Sequence, residues 1–121
     1  MSMRGAMAQS PPERLREICL SLPEAEEVPM RRGPSYRVED RIFATDRLVD
    51  ERHTVWCKVP HGSQQILIGA DSERFFVPPY FGTKGWVGMR LDGDCDWNEV
   101  AAFVQRSYRL VAPKRLTASV P

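Results

Sequence analysis

No stretch of this sequence approaches the ~20 consecutive apolar residues that a membrane-spanning helix needs. Residues 1–10 hold one arginine but no apolar run of signal-peptide length. The expectation is a soluble, cytoplasmic protein. Cysteine is sparse: Cys19, Cys57 and Cys95 are odd in number, widely spaced and never arranged as Cys-x-x-Cys. That pattern excludes a disulfide framework and a zinc ribbon, and free thiols suit a reducing compartment. Neither sign of charge dominates. The 17 Lys and Arg residues stand against 16 Asp and Glu, a net charge of +1, which excludes a polybasic protein of histone type. Any nucleic-acid surface is then local, with its counter-charges elsewhere. Internal repeats, low-complexity tracts and linkers are absent as well.

What is present is ordinary globular composition, 42% hydrophobic and 27% charged over 121 residues. A chain of this length fits one domain and buries roughly two-thirds of its unfolded surface, so it needs no metal or disulfide to fold. The reading is a tail over 1–9, a single domain over 10–116 and a second tail over 117–121.

Ser10-Pro11-Pro12-Glu13 is a helix start, with Ser10 as cap, proline in the first turn and Glu13 completing a capping box. Leu15, Ile18, Cys19 and Leu22 follow as one apolar stripe, which predicts a helix over 11–22 ended by Pro23. Glu24, Glu26 and Glu27 read as a solvated loop. Ser35-Tyr36-Arg37-Val38 and Ile42-Phe43-Ala44-Thr45 are short extended runs joined through Glu39-Asp40-Arg41, a hairpin pattern. A polar stretch over 46–52 precedes the clearest strand, 54–59. Residues 63–71 hold the apolar run Ile66-Leu67-Ile68 and favour a short helix, with a strand as the alternative. Phe75-Phe76-Val77 and Trp86-Val87-Gly88-Met89-Arg90-Leu91 read as strands, the second entered through a turn at Gly82-Thr83-Lys84-Gly85. Asp96 and Glu99 form an acidic capping box for a last helix striped by Trp97, Val100, Ala101, Val104, Tyr108 and Val111 and stopped by Pro113. Helices at the two ends of an antiparallel sheet make an α+β two-layer sandwich, with both helices on one face.

Candidate chemistry is thin. His53, Cys57 and His61 are spaced four apart, but on a strand four residues span roughly 13 Å, too far to share one ion. Asp92, Asp94 and Asp96 open like a calcium loop, yet Trp97 and Phe103 occupy the positions where such a loop needs glycine and glutamate. Gly82-Thr83-Lys84-Gly85 lacks the spacing of a phosphate loop. Neither Cys57 nor Cys95 has a histidine base in reach, so nothing supports nucleophilic catalysis. The sequence therefore predicts no catalytic residue, no metal and no cofactor.

The basic residues offer more. Arg31-Arg32-Gly33 precedes the first strand, Lys58, Lys84 and Arg90 lie on or beside strands, and Tyr80 and Trp86 flank Lys84. Aromatic residues beside a basic turn are compatible with a nucleic-acid surface and equally with core packing, which is favoured for Trp86.

The second half of the chain resembles the MmcQ/YjbR family of small bacterial proteins. The resemblance is carried by Arg74-Phe75-Phe76-Val77-Pro78-Pro79-Tyr80, Gly85-Trp86-Val87-Gly88, Leu91-Asp92-Gly93 and Ser107-Tyr108-Arg109-Leu110-Val111-Ala112-Pro113-Lys114. Leu22-Pro23-Glu24-Ala25-Glu26-Glu27, Phe43-Ala44 and Lys58 extend it more loosely to residues 13–116. It implies a CyaY-like α+β fold and DNA binding through a "double wing" of projecting loops or hairpins. Asp40-Arg41 stands where that family has a glycine-containing turn, and 46–53 is long for it. The acidic first helix with which CyaY and frataxin hold iron is not carried over, because Glu13, Arg14, Arg16 and Glu17 mix both signs.

Two functional expectations follow. The first is a non-enzymatic protein that binds DNA weakly and without sequence preference, through Arg31, Arg32, Lys58, Lys84 and Arg90. It requires these residues on one face, free of carboxylate partners. The second is a small-molecule or protein-interaction module with a pocket lined by Tyr80, Phe81 and Trp86.

Overall fold

A computed structural model describes residues 9–118 and residue 120. The expected tail over 1–9 lies, apart from Gln9, outside the described residues. The chain forms α1 (Pro11–Leu20), β1 (Glu26–Val28), β2 (Ser35–Val38), β3 (Arg41–Val49), β4 (Arg52–Cys57), α2 (Ser63–Ala70), β5 (Phe75–Phe76), a 3-10 turn (Phe81–Lys84), β6 (Val87–Arg90), α3 (Trp97–Val111) and α4 (Lys114–Thr117). The strands make one antiparallel sheet in the order β1-β2-β3-β4-β6-β5.

Helices α1 and α3 both pack on β3 and β4, on one face of the sheet, and close an α+β sandwich. Alternation along the strands sends Tyr36, Val38, Val55, Cys57, Val87 and Met89 into the core beneath them, and a bulge in the β2–β3 pairing turns Phe43 into it as well. Ser107 pins α3 to the sheet: its hydroxyl donates to Phe43 O at 2.6 Å and accepts the Lys58 N–H at 2.9 Å. The next residue, Tyr108, sets its ring edge-on to Phe43 at 5.3 Å and donates its hydroxyl to Pro23 O at 2.6 Å. Leu116 and Val120 are buried in the same core, so packing continues past residue 116.

The capping box at Ser10 and Glu13 forms as the sequence predicts, and α2 resolves 63–71 in favour of a helix. Four expectations are corrected. Helix α1 stops at Leu20, two residues before the end of its apolar stripe, and Ser21 caps it. Glu26 and Glu27 belong to an edge strand, because backbone pairing with β2 decides the matter and Arg16 bonds Glu27 at 2.8 Å. The polar stretch 46–52 continues β3 to Val49, turns at Asp50-Glu51 and enters β4 at Arg52. At the last helix Asp96 accepts the Asn98 N–H, but Glu99 pairs with Arg74 at 2.8 Å instead of closing a box.

Two tight hairpins join β2 to β3 and β3 to β4. Their two-residue loops, Glu39-Asp40 and Asp50-Glu51, all take positive φ, between 50° and 64°. That is the primed turn whose twist matches the strands, built here without the glycine that usually makes it comfortable.

Candidate nucleic-acid interface

The face of the sheet opposite α1 and α3 holds the residues that alternate with the core. Across the strands they form two rows. Ser35, Thr45, Trp56, Gly88 and Phe76 are neighbours in register, and one step along lie Arg47, Thr54 and Arg90. The first row is aromatic around a glycine. A Cβ on Gly88 would collide with the Phe76 ring, which lies over it.

Cations sit on these rings. The Arg90 guanidinium lies over Phe76 at 4.8 Å, and its Nη1 donates to Glu73 O at 3.0 Å. The Arg47 guanidinium lies over Trp56 at 5.6 Å, and its Nη1 donates to Gly33 O and Asp46 O at 2.9 and 3.0 Å. Partial burial holds the Arg47 pKa below its ordinary value, and the nearby Arg32 adds to the effect. Lys84 Nζ lies 5.6 Å from the Tyr80 ring and 5.8 Å from the Phe81 ring. Such contacts hold a cation in place while leaving its remaining N–H donors free for an anion.

The 3-10 turn brings Phe81 over this face. Phe81 stacks at a tilt on Trp86 at 4.9 Å and meets Trp56 edge-on at 6.0 Å. Gln64 of α2 fastens the turn, donating from Nε2 to Gly82 O at 2.9 Å and Trp86 O at 2.7 Å. Beneath the turn Trp56 is 8% exposed and Trp86 6%. The Trp56 indole N–H and the Thr45 hydroxyl, cross-strand neighbours, are buried without a hydrogen-bond partner among the described residues.

Tyr80 behaves differently. Its ring is 77% exposed, and its backbone is held at φ 70°, ψ −57°, in a tight turn closed by the Phe81 N–H on Pro79 O at 2.6 Å. This is the γ-turn of strained sign, rare for any residue with a side chain. Thr83 Oγ1 donates to Tyr80 O at 2.9 Å and supports it.

The sequence-predicted residues fall around this face. Arg90 is in its second row. Lys84 is on the turn that overhangs it. Arg32 is close enough to Arg47 to affect its charge, and Arg31 adjoins it in the same exposed turn. Lys58 directly follows Cys57, where the alternation of β4 returns to the helix-free side. None of the five makes an ion pair among the described residues. Arg37 and Arg47, which sequence reasoning did not single out, share the face and are likewise unpaired. Arg37 bonds Ser35 Oγ at 3.0 Å instead. Arg47 and Trp56 escaped notice because only the β3–β4 register brings them together.

The rim is not uniformly basic. Beside Arg90 a cleft of about 200 Å³ is lined by Arg52, Asp71, Glu73, Arg74, Asp92 and Cys95, among others. Arg52 is neutralised there by Asp92 in a two-point contact at 2.7 and 3.0 Å, which holds the Asp92 carboxyl below its usual pKa. Arg74 is met by Glu99 in an ion pair that lacks the alignment of a hydrogen bond. Asp71, Glu73 and Asp94 keep free carboxylates among the described residues. The tips of both hairpins are acidic too, and of Glu39, Asp40, Asp50 and Glu51 only Glu39 is paired, with Arg115 at 2.8 Å.

The pocket expected around Tyr80, Phe81 and Trp86 does not take that form, because Trp86 is packed beneath Phe81. The nearby cavity of about 380 Å³ is lined instead by His61, Gln64, Gln65, Thr83, Lys84 and glycine backbone. The thiols are quiet. Burial pushes Cys57 up to about 12 and raises Cys19 and Cys95 as well, away from the thiolate that catalysis would need. Among the described residues no group of three or more His, Cys, Asp or Glu could hold a metal ion, and no helix is long and apolar enough to cross a membrane.

Comparison with known proteins agrees on the fold. The crystal structure of the Deinococcus radiodurans protein DR2400, described as a DUF419 domain, matches with a TM-score of 0.75 at 22% identity, over 93% of each chain. At that identity the likeness shows the fold alone. No curated protein matches. The YjbR family model matches residues 20–110, from the end of α1 to the last turn of α3. On a match that takes in the whole sheet and nearly all of α3, the chain belongs to the YjbR family.

Proposed function

We propose that this YjbR-family protein is a non-enzymatic DNA-binding protein that uses the helix-free face of its sheet. One observation carries the reading: Arg47, Arg90 and Lys84 rest on aromatic rings on that face with no carboxylate partner among the described residues, and Arg31, Arg32, Arg37 and Lys58 border it. By contrast, Arg16, Arg52, Arg74 and Arg115 are each paired with a carboxylate. A row left unpaired and presented by a rigid sheet suits phosphate contacts, which give affinity and salt dependence without reading sequence. The expected binding is therefore weak and indifferent to sequence.

The test is fluorescence anisotropy of labelled DNA at about 50 and about 200 mM salt, where neutralising about four phosphates predicts a loss of affinity on the order of 100-fold. Replacing both Arg47 and Lys84 by alanine should weaken binding at low salt and flatten the salt dependence by about two contacts. Absence of binding at the lower salt would remove the reading.

A further inference from the structure

We infer that the DNA this face accepts is single-stranded, laid along the strip Lys84–Tyr80–Phe81–Trp56–Arg47 toward Arg32. The inference rests on the DNA-binding reading above and decides which form of DNA the site fits. Three observations carry it.

The projecting parts of the sheet are unsuited to a duplex. A winged contact with double-stranded DNA drives hairpin tips against the phosphate backbone or into a groove. Here both tips consist of two acidic residues each, Glu39-Asp40 and Asp50-Glu51, with three of the four carboxylates unpaired among the described residues. Phosphates would be repelled where a wing would touch them. The cleft with Asp71, Glu73 and Asp94 closes a further corner to anions.

The cations that do face outward are joined by rings. From Lys84 to Arg47 the strip is continuous: Lys84 lies on Tyr80 and Phe81, Phe81 meets Trp56, and Arg47 lies on Trp56, each contact between 5.6 and 6.0 Å. Trp56 itself is buried beneath Phe81, so the π-surface open to a base is Tyr80 with part of Phe81. Charge beside such a surface matches a single strand, which offers phosphates along one side and unpaired bases along the other. A duplex keeps its bases stacked inside and can use only the charges.

Tyr80 supplies the exposed ring. It stands out at 77% exposure, stiffened edge-on against Phe81 at 5.6 Å and by a strained backbone, with a lysine alongside. A ring held out in this way gives the fold little packing and leaves its exposed face for a base to stack on.

The experiment compares a labelled single strand of about 12 nucleotides with the same strand annealed to its complement, at equal low salt. The expected result is that the single strand binds on the order of 10-fold more tightly. Tyr80→Ala should lose most of that advantage, weakening single-strand binding far more than duplex binding, whereas Tyr80→Phe, which keeps the ring under Lys84, should retain it. Lys84→Ala should lower the salt slope for the single strand by about 0.7. Far-ultraviolet circular dichroism confirms that each variant is folded, which the exposure of both side chains favours. Equal or tighter duplex binding, or a Tyr80→Ala variant that binds the single strand like the parent, overturns the inference and leaves the DNA reading standing. Failure of both forms of DNA to bind overturns the two together.

Discussion

On one face of the sheet Phe43, Val55, Cys57, Val87 and Met89 are shut away by α1 and α3, and Ser107 and Tyr108 lock the layers with two short hydrogen bonds. On the other face the alternate positions of the same strands hold Thr45, Trp56, Gly88, Arg47 and Arg90; Thr45 and Trp56 are themselves buried, Trp56 beneath the overhanging Phe81. The strands are shared, so backbone pairing cannot account for the difference. The covered face spends its side chains on excluding water. Among the described residues the other face keeps a buried indole N–H and a buried hydroxyl without hydrogen-bond partners, and it places Arg47 and Arg90 on rings with no ion pair, although Asp46 and Asp92 feel their charge. The two faces thus differ in kind: one is hydrophobic packing under helices, the other carries ring-seated arginines.

The largest effect expected to sharpen that division is at Tyr108. Tyr108→Ala removes the ring packed on Phe43 and the hydroxyl on Pro23 O, and should cost about 3–5 kcal/mol in denaturant unfolding. Arg47→Ala on the opposite face should cost less than about 1 kcal/mol, the scale of a partly exposed cation–π contact, while clearly weakening DNA binding. Equal losses of stability from the two would break the comparison.

A smaller effect, of opposite sign, is expected at the first hairpin. Asp40 holds φ 64°, and Asp40→Gly should stabilise by about 0.5–1 kcal/mol by relieving left-handed strain. It should leave binding by the single strand untouched, since the tip is not part of the strip. Weaker binding in this variant would bring the wings back into play.

The smallest effect at neutral pH concerns Asp46, buried on the helix side opposite Val55. Burial raises its pKa above the ordinary carboxylate value, against the pull of His53 and Arg47. The folded protein therefore binds more proton here than the unfolded chain between the ordinary and the raised value. Stability from this group is present at low pH and is lost as pH rises through that window. Asp46→Asn should accordingly raise the thermal midpoint at neutral pH and narrow its gap from the value at pH near 4. An unchanged midpoint at neutral pH would show that the carboxylate is better solvated than its position implies.

The helices were legible because their signals are local: an apolar stripe from Leu15 to Cys19, a serine with glutamate three residues on, an aspartate before Trp97. The first hairpin was legible too, but the outer strand and the second hairpin were not. Glu26 and Glu27 read as solvated charge, and only pairing with Tyr36 and Arg37 makes them a strand. The turn at Asp50-Glu51 lacks the Asn-Gly or Asp-Gly that announces such a hairpin, so the polar run 46–52 concealed the end of β3. The basic residues of the site were visible as residue types, but their partners were not. Arg47 with Trp56 and Arg90 with Phe76 are contacts between strands, and no spacing along the chain encodes them.

The most direct test of the two-face account is a backbone amide spectrum titrated with single-stranded DNA. The account predicts shifts concentrated at Arg47, Thr54, Trp56, Tyr80, Lys84 and Arg90, with the buried amides of α3 around Ser107 unmoved. Shifts confined to α1, α3 or the acidic hairpin tips, with the Arg47–Trp56 strip silent, would contradict it.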